Sequence, residues 1–274
     1  MTKPIVALLY DFDCTLSTQN MQEYTLIPSF GMDGDDFWRY VTIIAQNEGM
    51  DAILTGMYVM MQKAREMGRP LTRKLLNEHG AKIKFYKGVE EWFDLINAEG
   101  EKLGFQLEHY IISAGLTELI EGSSIARHFT RIFAGKYHYD KNGFADWPAM
   151  SLNHTGKTQF LFRVNKGFMD LSDDVSVNLP MPKEKRRVPF RNIMYFGDGL
   201  TDVPAMSLTR SHGGYAIAVY TNERTAVDLL NGERVDVAAP ADFSQNGILY
   251  SYVRRRLKLL REMEEARDRG DKNG

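Results

Sequence analysis

The chain has 274 residues, enough to bury a large core in one or two domains, and its 43% hydrophobic and 26% charged residues are those of an ordinary soluble protein. Lys and Arg number 34 against 36 Asp and Glu, so the formal net charge of -2 offers no footprint for nucleic acid or an anionic membrane. Cys14 is the only cysteine, which excludes an intrachain disulfide and a cysteine-built zinc site.

No apolar run approaches the roughly 20 residues of a membrane helix. Asp11 interrupts the first apolar run before it can serve as the core of a secretory signal, so a cytoplasmic setting is expected. His79, His109, His128, His138, His154 and His212 show no metal-ligand spacing and read as scattered surface or core residues.

In chain order, Ile5 to Tyr10 is apolar without polar alternation, the pattern of a strand buried on both faces of a parallel sheet. Asp11-Phe12-Asp13-Cys14-Thr15-Leu16 follows. A lone Asp-x-Asp reads as a turn. At the carboxyl end of such a strand, where open α/β sheets bind ligands, two crowded acids instead call for a cation or a shared proton.

Helical segments are expected around Gln19 to Phe30, Asp35 to Gln46, Met50 to Met67 and Leu71 to His79. The third carries Met57, Met60 and Met61 at helical spacing, a packing stripe rather than a cofactor box. Residues 17 to about 87 thus read as an all-helical insertion.

A helix from Gly88 to Glu101 and a strand from Leu107 to Ile112 then lead to Ser113-Ala114-Gly115. Small residues let backbone N–H groups crowd an anion, with a helix starting near Leu116; the alternative is that Ser113 simply caps that helix. Arg131 to Gly135 reads as a strand. Lys136 to Trp147 reads as a hairpin about Asn142-Gly143.

Gly156-Lys157-Thr158 opens a helix. A phosphate loop is rejected there because residue 151 is Ser and Trp147-Pro148-Ala149-Met150 does not read as a strand. The basic run Lys183 to Arg187 reads as a solvated loop. After a strand over Asn192 to Phe196, Gly197-Asp198-Gly199-Leu200-Thr201-Asp202 places two acids four apart where a helix begins.

Tyr215 to Tyr220 is a further strand, Glu223 to Asn231 a helix, and Val235 to Ala239 a short strand. Ile248 to Arg267 is an amphipathic helix with Leu257, Leu260 and Met263 on one side; it either packs on the core or offers a homodimer contact. Disorder is expected from Asp271 onward.

Four signals in this order resemble motifs I to IV of the haloacid dehalogenase-like (HAD) hydrolase superfamily, and the hairpin after the second resembles its phosphoserine-phosphatase-like branch. Many members carry Gly where this chain has Cys14. The resemblance implies an α/β core with a doubly wound, Rossmann-like parallel sheet of strand order 3-2-1-4-5, spanning residues 1–16 and 88–274. Residues 17–87 would form a helical cap domain, expected to move as a lid hinged near Ser17 and Lys87.

By the same resemblance Asp11 is a nucleophile that becomes an aspartyl-phosphate, and Asp13 is the general acid and base. The implied phosphate-binding set is Phe12, Cys14, Thr15, Ser113, Ala114 and Lys157, with Lys166 a second candidate for the lysine. Asp11, the backbone carbonyl of Asp13, and Asp198 would ligate Mg²⁺, with Asp202 a ligand or a neighbour of the ligands.

The implied activity is Mg²⁺-dependent hydrolysis of a small phosphomonoester. A phosphotransferase or mutase uses the same core, and a silent HAD-fold binding protein is the competing class. In the phosphoserine enzymes an acid early in the cap pairs with the substrate ammonium. Here Ser17 to Gln22 is polar but uncharged and Glu23 comes late, so a hydroxyl-bearing ester such as a sugar phosphate or a nucleoside monophosphate is expected instead of phosphoserine.

Overall fold

The computed structural model describes residues 3–270. The chain opens with β1 (Ile5–Tyr10), and residues 17–87 then hold short 3-10 turns at Met21–Glu23 and Pro28–Phe30 followed by α1 (Gly34–Glu48), α2 (Ala52–Glu66) and α3 (Arg73–Gly80). Next come α4 (Val89–Lys102), β2 (Gln106–Leu116), α5 (Thr117–Glu121), β3 (Phe129–Tyr139), β4 (Ala145–Met150) and α6 (Lys157–Lys166). The remainder is β5 (Ile193–Gly197), α7 (Val203–Ser211), β6 (Tyr215–Tyr220), α8 (Glu223–Asn231), β7 (Val237–Pro240) and α9 (Ile248–Gly270).

The strands form one sheet in the order β4-β3-β2-β1-β5-β6-β7. All neighbours are parallel except β3 and β4. Counting only parallel strands, the first five lie in the expected order 3-2-1-4-5, with β7 added at one edge and β4 at the other. The alternation of β1 explains two separate cores. Val6, Leu8 and Tyr10 face α4 and α9, while Ala7 and Leu9 face α6 and α7. No helix among the described residues is long and apolar enough to cross a membrane.

Several local expectations need correction. Residues 19–30 form only the two 3-10 turns, the second opened by Pro28. Strand β2 runs on through Ser113 to Leu116, with a register shift over those residues, so α5 starts one residue later than expected and Ser113 does not cap it. Residues 147–150 are a strand after all, because β4 is an edge strand and tolerates the missing N–H of Pro148.

In the basic run, Arg187 is not a free solvated cation; its guanidinium bonds both oxygens of Glu108 at 2.6 and 2.7 Å. On α9, Leu257 and Leu260 are buried in the core, whereas Met263 is exposed. Residues from Asp271 lie outside the described chain.

Candidate active site

The site sits where β1, β2 and β5 end. Beyond β1 the chain winds around one carbonyl: Phe12 O accepts the N–H groups of Thr15, Leu16 and Ser17 and the Ser17 hydroxyl. This winding puts Cys14 at φ 57°, in the left-handed region that favours Gly. The Cys14 thiol is pushed up to about 12 by burial and then by the charge of Asp198, so it stays a thiol at neutral pH.

Asp11 is 5% exposed. Its Oδ1 accepts the N–H of Phe12 at 2.8 Å, and its Oδ2 lies 3.0 Å from Lys157 Nζ. Asp13 turns the other way, with Oδ1 accepting the Met21 N–H at 2.7 Å. Burial pushes the Asp13 carboxyl up to about 7 despite that hydrogen bond.

Lys157, at the first turn of α6, is 1% exposed and bridges Asp11 to Asp202, whose Oδ1 is 2.7 Å from Nζ. Burial disfavours its charge, but the two carboxylates override this and raise its pKa. Lys166 is elsewhere, with Nζ donating to the carbonyls of Val177 and Leu179 at 2.6 and 2.8 Å. Of the two lysines, Lys157 is the one that lies against the carboxylates.

Asp198 and Asp202 follow β5, and their surroundings differ. Asp202 is fully buried; Oδ1 accepts from Lys157 and from the Tyr195 hydroxyl at 2.7 Å, and Oδ2 from the Asp198 N–H at 3.2 Å. A Cβ at position 197 would overlap the Asp202 carboxylate, so this turn requires Gly197. The Asp198 carboxylate accepts a long 3.4 Å hydrogen bond from Thr15 Oγ1, and its carboxyl is pushed up to about 6 by burial and then by Asp202.

Asp11, Asp198 and Asp202 each offer an oxygen within 4.8 Å of the others. The Asp11 carboxyl is raised by burial and then by Asp202. Three carboxylates against one ammonium leave local negative charge that a divalent cation would offset, and an all-oxygen donor set suits a hard ion. The Asp13 carboxylate is not in this cluster.

Ser113 is 1% exposed, and its Oγ accepts the Gly115 N–H at 3.0 Å. Together with Ala114, Cys14, Asp11, Asp13, Lys157 and Asp198 it lines an open cavity of about 310 Å³. The expected set is thus brought to one place, with Phe12 and Thr15 buried in the loop behind it.

The cavity wall also includes Asn20 and Gln22, from the uncharged stretch compared above with the substrate-pairing region of the phosphoserine enzymes, and Trp38, Ile53, His154 and Thr201, which sequence reasoning did not assign to the site. Tyr195 was missed too, its hydroxyl hidden within an apolar strand run. Only Asn20 and Gln22 left a signal, as polar residues in a stretch noted for lacking charge.

No protein-family model matches the chain. A protein of Borreliella burgdorferi, described as uncharacterized, is 30% identical over 283 residues, covering 93% of this chain and 97% of its own length, and the two belong to one family. A probable phosphoserine phosphatase from Vibrio cholerae superposes with a TM-score of 0.60 at 13% identity, over 96% of this chain and 67% of that one. A HAD family hydrolase from Salmonella enterica serovar Typhi gives 0.56 at 17% identity, over 86% and 67%.

Proposed function

We propose, from the premise that this chain has the HAD fold in its phosphoserine-phosphatase-like form, that it is a Mg²⁺-dependent phosphatase acting on a small phosphomonoester. The observation that carries the reading is the buried Asp11 carboxylate, held by Lys157 and by its neighbour's N–H, opening onto a cavity at the end of the central strand.

Asp11 attacks phosphorus as the bond to the leaving oxygen breaks, and Asp13 gives that oxygen its proton. The product alcohol leaves an aspartyl-phosphate on Asp11. Asp13, now a carboxylate, takes a proton from water as the water oxygen attacks phosphorus, which frees inorganic phosphate and restores Asp11. Asp13 suits the role because, among the described residues, only its Oδ1 is engaged, by the Met21 N–H.

Lys157, Ser113 and the N–H groups of the first loop balance charge on the equatorial oxygens. Asp11, the carbonyl of Asp13 and Asp198 would hold Mg²⁺, which when bound supplies positive charge against the phosphoryl group.

Phosphate release from a panel of small esters, with and without Mg²⁺, tests the proposal. Asp11→Asn is expected to lose on the order of 10³-fold or more in kcat with an unchanged circular dichroism spectrum, since an amide cannot form the covalent intermediate. Near-normal turnover by the variant would sink the assignment.

A further inference from the structure

Besides the carboxylates and Lys157, the cavity is lined from the insertion by Asn20, Gln22, Trp38 and Ile53, none of them charged, and from the core by His154 and Thr201.

Gln22 is the informative residue. It is 5% exposed and lines the cavity, its backbone carbonyl is fixed by the Ile27 N–H, and its side-chain amide has no hydrogen-bond partner among the described residues. Its amide is not sealed off, so its polar atoms open onto the cavity, and whatever fills the cavity, water or a ligand hydroxyl, is their partner.

Asn20 adds to this, since its Nδ2 donates to Glu23 Oε1 at 2.6 Å and its Oδ1 remains as an acceptor. The same Glu23 oxygen takes the indole N–H of Trp38 at 2.6 Å, which anchors the ring in the wall. Gly56 lets that ring seat closely against α2.

We propose that the leaving group is a neutral polyol, as in a sugar or glycerol phosphate, with its hydroxyls bonded by Gln22 and Asn20 and its carbon face against Trp38 and Ile53. This rests on the phosphatase reading above.

The chemistry disfavours the charged alternatives. A carboxylate on the leaving group would approach Asp13 and, behind Asn20, Glu23, with no cation among the insertion residues of the lining, and an ammonium group would meet neutral amides first, because Glu23 does not line the cavity and its Oε1 is already taken by Asn20 and Trp38. Size points the same way. About 310 Å³ is at the low end of ligand pockets, which run from roughly 300 to 1,000 Å³, and it has room for an ester of about monosaccharide size.

The test is kcat/KM with Mg²⁺ for hexose 6-phosphate, glycerol 3-phosphate, O-phosphoserine, O-phosphoethanolamine and p-nitrophenyl phosphate. The polyol esters are expected to exceed the two amino esters by at least about tenfold. In Gln22→Leu the ratio of the best polyol ester to p-nitrophenyl phosphate should fall by roughly 10- to 100-fold. Gln22→Glu, which keeps the shape and adds a charge, should move the preference toward O-phosphoethanolamine by at least about tenfold.

Wild-type preference for an amino ester, or a Gln22→Leu ratio within about twofold of wild type, overturns the assignment. Release from p-nitrophenyl phosphate alone also overturns it while leaving the phosphatase reading intact. Release from no ester overturns the phosphatase reading, and this assignment with it.

Discussion

Asp198 and Asp202 look equivalent in the sequence, four residues apart in one turn. Their hydrogen bonds separate them. Both Asp202 oxygens are engaged by Lys157, Tyr195 and the Asp198 N–H, an arrangement suited to positioning the lysine, whereas the Asp198 carboxylate takes a single long side-chain hydrogen bond, from Thr15, among the described residues. Asp198→Ala should therefore raise the Mg²⁺ concentration for half-maximal activity at least about tenfold, with metal-free stability unchanged or improved by relief of like-charge repulsion. Asp202→Ala should instead destabilise by about 3 kcal/mol, because it strands a buried tyrosine hydroxyl and half of an ion pair. Metal titrations of activity beside urea unfolding read both quantities, and the opposite pattern would reverse the roles.

Cys14 is the other residue whose meaning depends on the backbone. Its φ of 57° is strained for a side chain, so Cys14→Gly should stabilise by about 1 kcal/mol in urea unfolding. A loss of stability would mean that the thiol's packing outweighs the strain. The positions of Asp11, Ser113, Lys157 and Asp198 were legible because each is a polar residue at a sequence-visible strand or helix end. Trp38 was not, because nothing local says that a residue in a helical insertion faces a cavity built by distant strands.

At the scale of elements, the parallel strands were the most legible part, since an apolar run buried on both faces has few other homes. Pro148 hid β4, because the rule against proline in strands does not hold at an edge. Between β1, β2 and α4 lies a buried polar chain that sequence also conceals: Trp92 Nε1 donates to the Tyr10 hydroxyl, which bonds His109 Nδ1, while His109 Nε2 faces Asn97 Oδ1. Burial lowers the His109 pKa to about 3, so the fold holds a neutral imidazole. Near pH 5 the unfolded chain binds a proton there that the native protein does not. Stability from this group is therefore complete above about pH 6.5 and is lost as pH falls toward 3. Denaturant unfolding from pH 7 to 4 should show a slope of up to about 1.4 kcal/mol per pH unit that His109→Gln lacks. Equal slopes in the two proteins would show that the imidazole is protonated within the fold.

For the whole molecule, the question is whether residues 17–87 open as one lid. The two ends of the insertion are bonded to each other, through Thr18 N–H to Lys84 O and the bridge between Ser17 and Phe85, and Lys87 is tied to Asp242 at 2.7 Å. The β3-β4 hairpin grips its middle: the Tyr137 hydroxyl donates to Met57 O at 2.8 Å, Arg65 to Ala145 O at 3.0 Å, and the Ala145 N–H to Leu71 O. Helices α3 and α5 meet backbone to backbone, since a Cβ on Gly80 would overlap the Leu119 carbonyl and one on Gly122 the Asn77 carbonyl. Such contacts cannot part without leaving buried donors unpaired and apolar surface wet. Helix α1 is different. Its buried face is confined to Phe37 and Val41, it packs on α2, and it carries Trp38 into the cavity wall on a single hydrogen bond to Glu23. Motion that admits substrate is therefore expected in α1 and its flanking turns rather than at Ser17 and Lys87. Hydrogen exchange with and without a phosphate mimic plus Mg²⁺ should show protection gained over residues 31–51 while α3 and the Met57 turn of α2 stay unchanged. Equal changes across α1, α2 and α3, centred on the two ends of the insertion, would instead establish a rigid lid and make the hairpin contacts a closed-state latch.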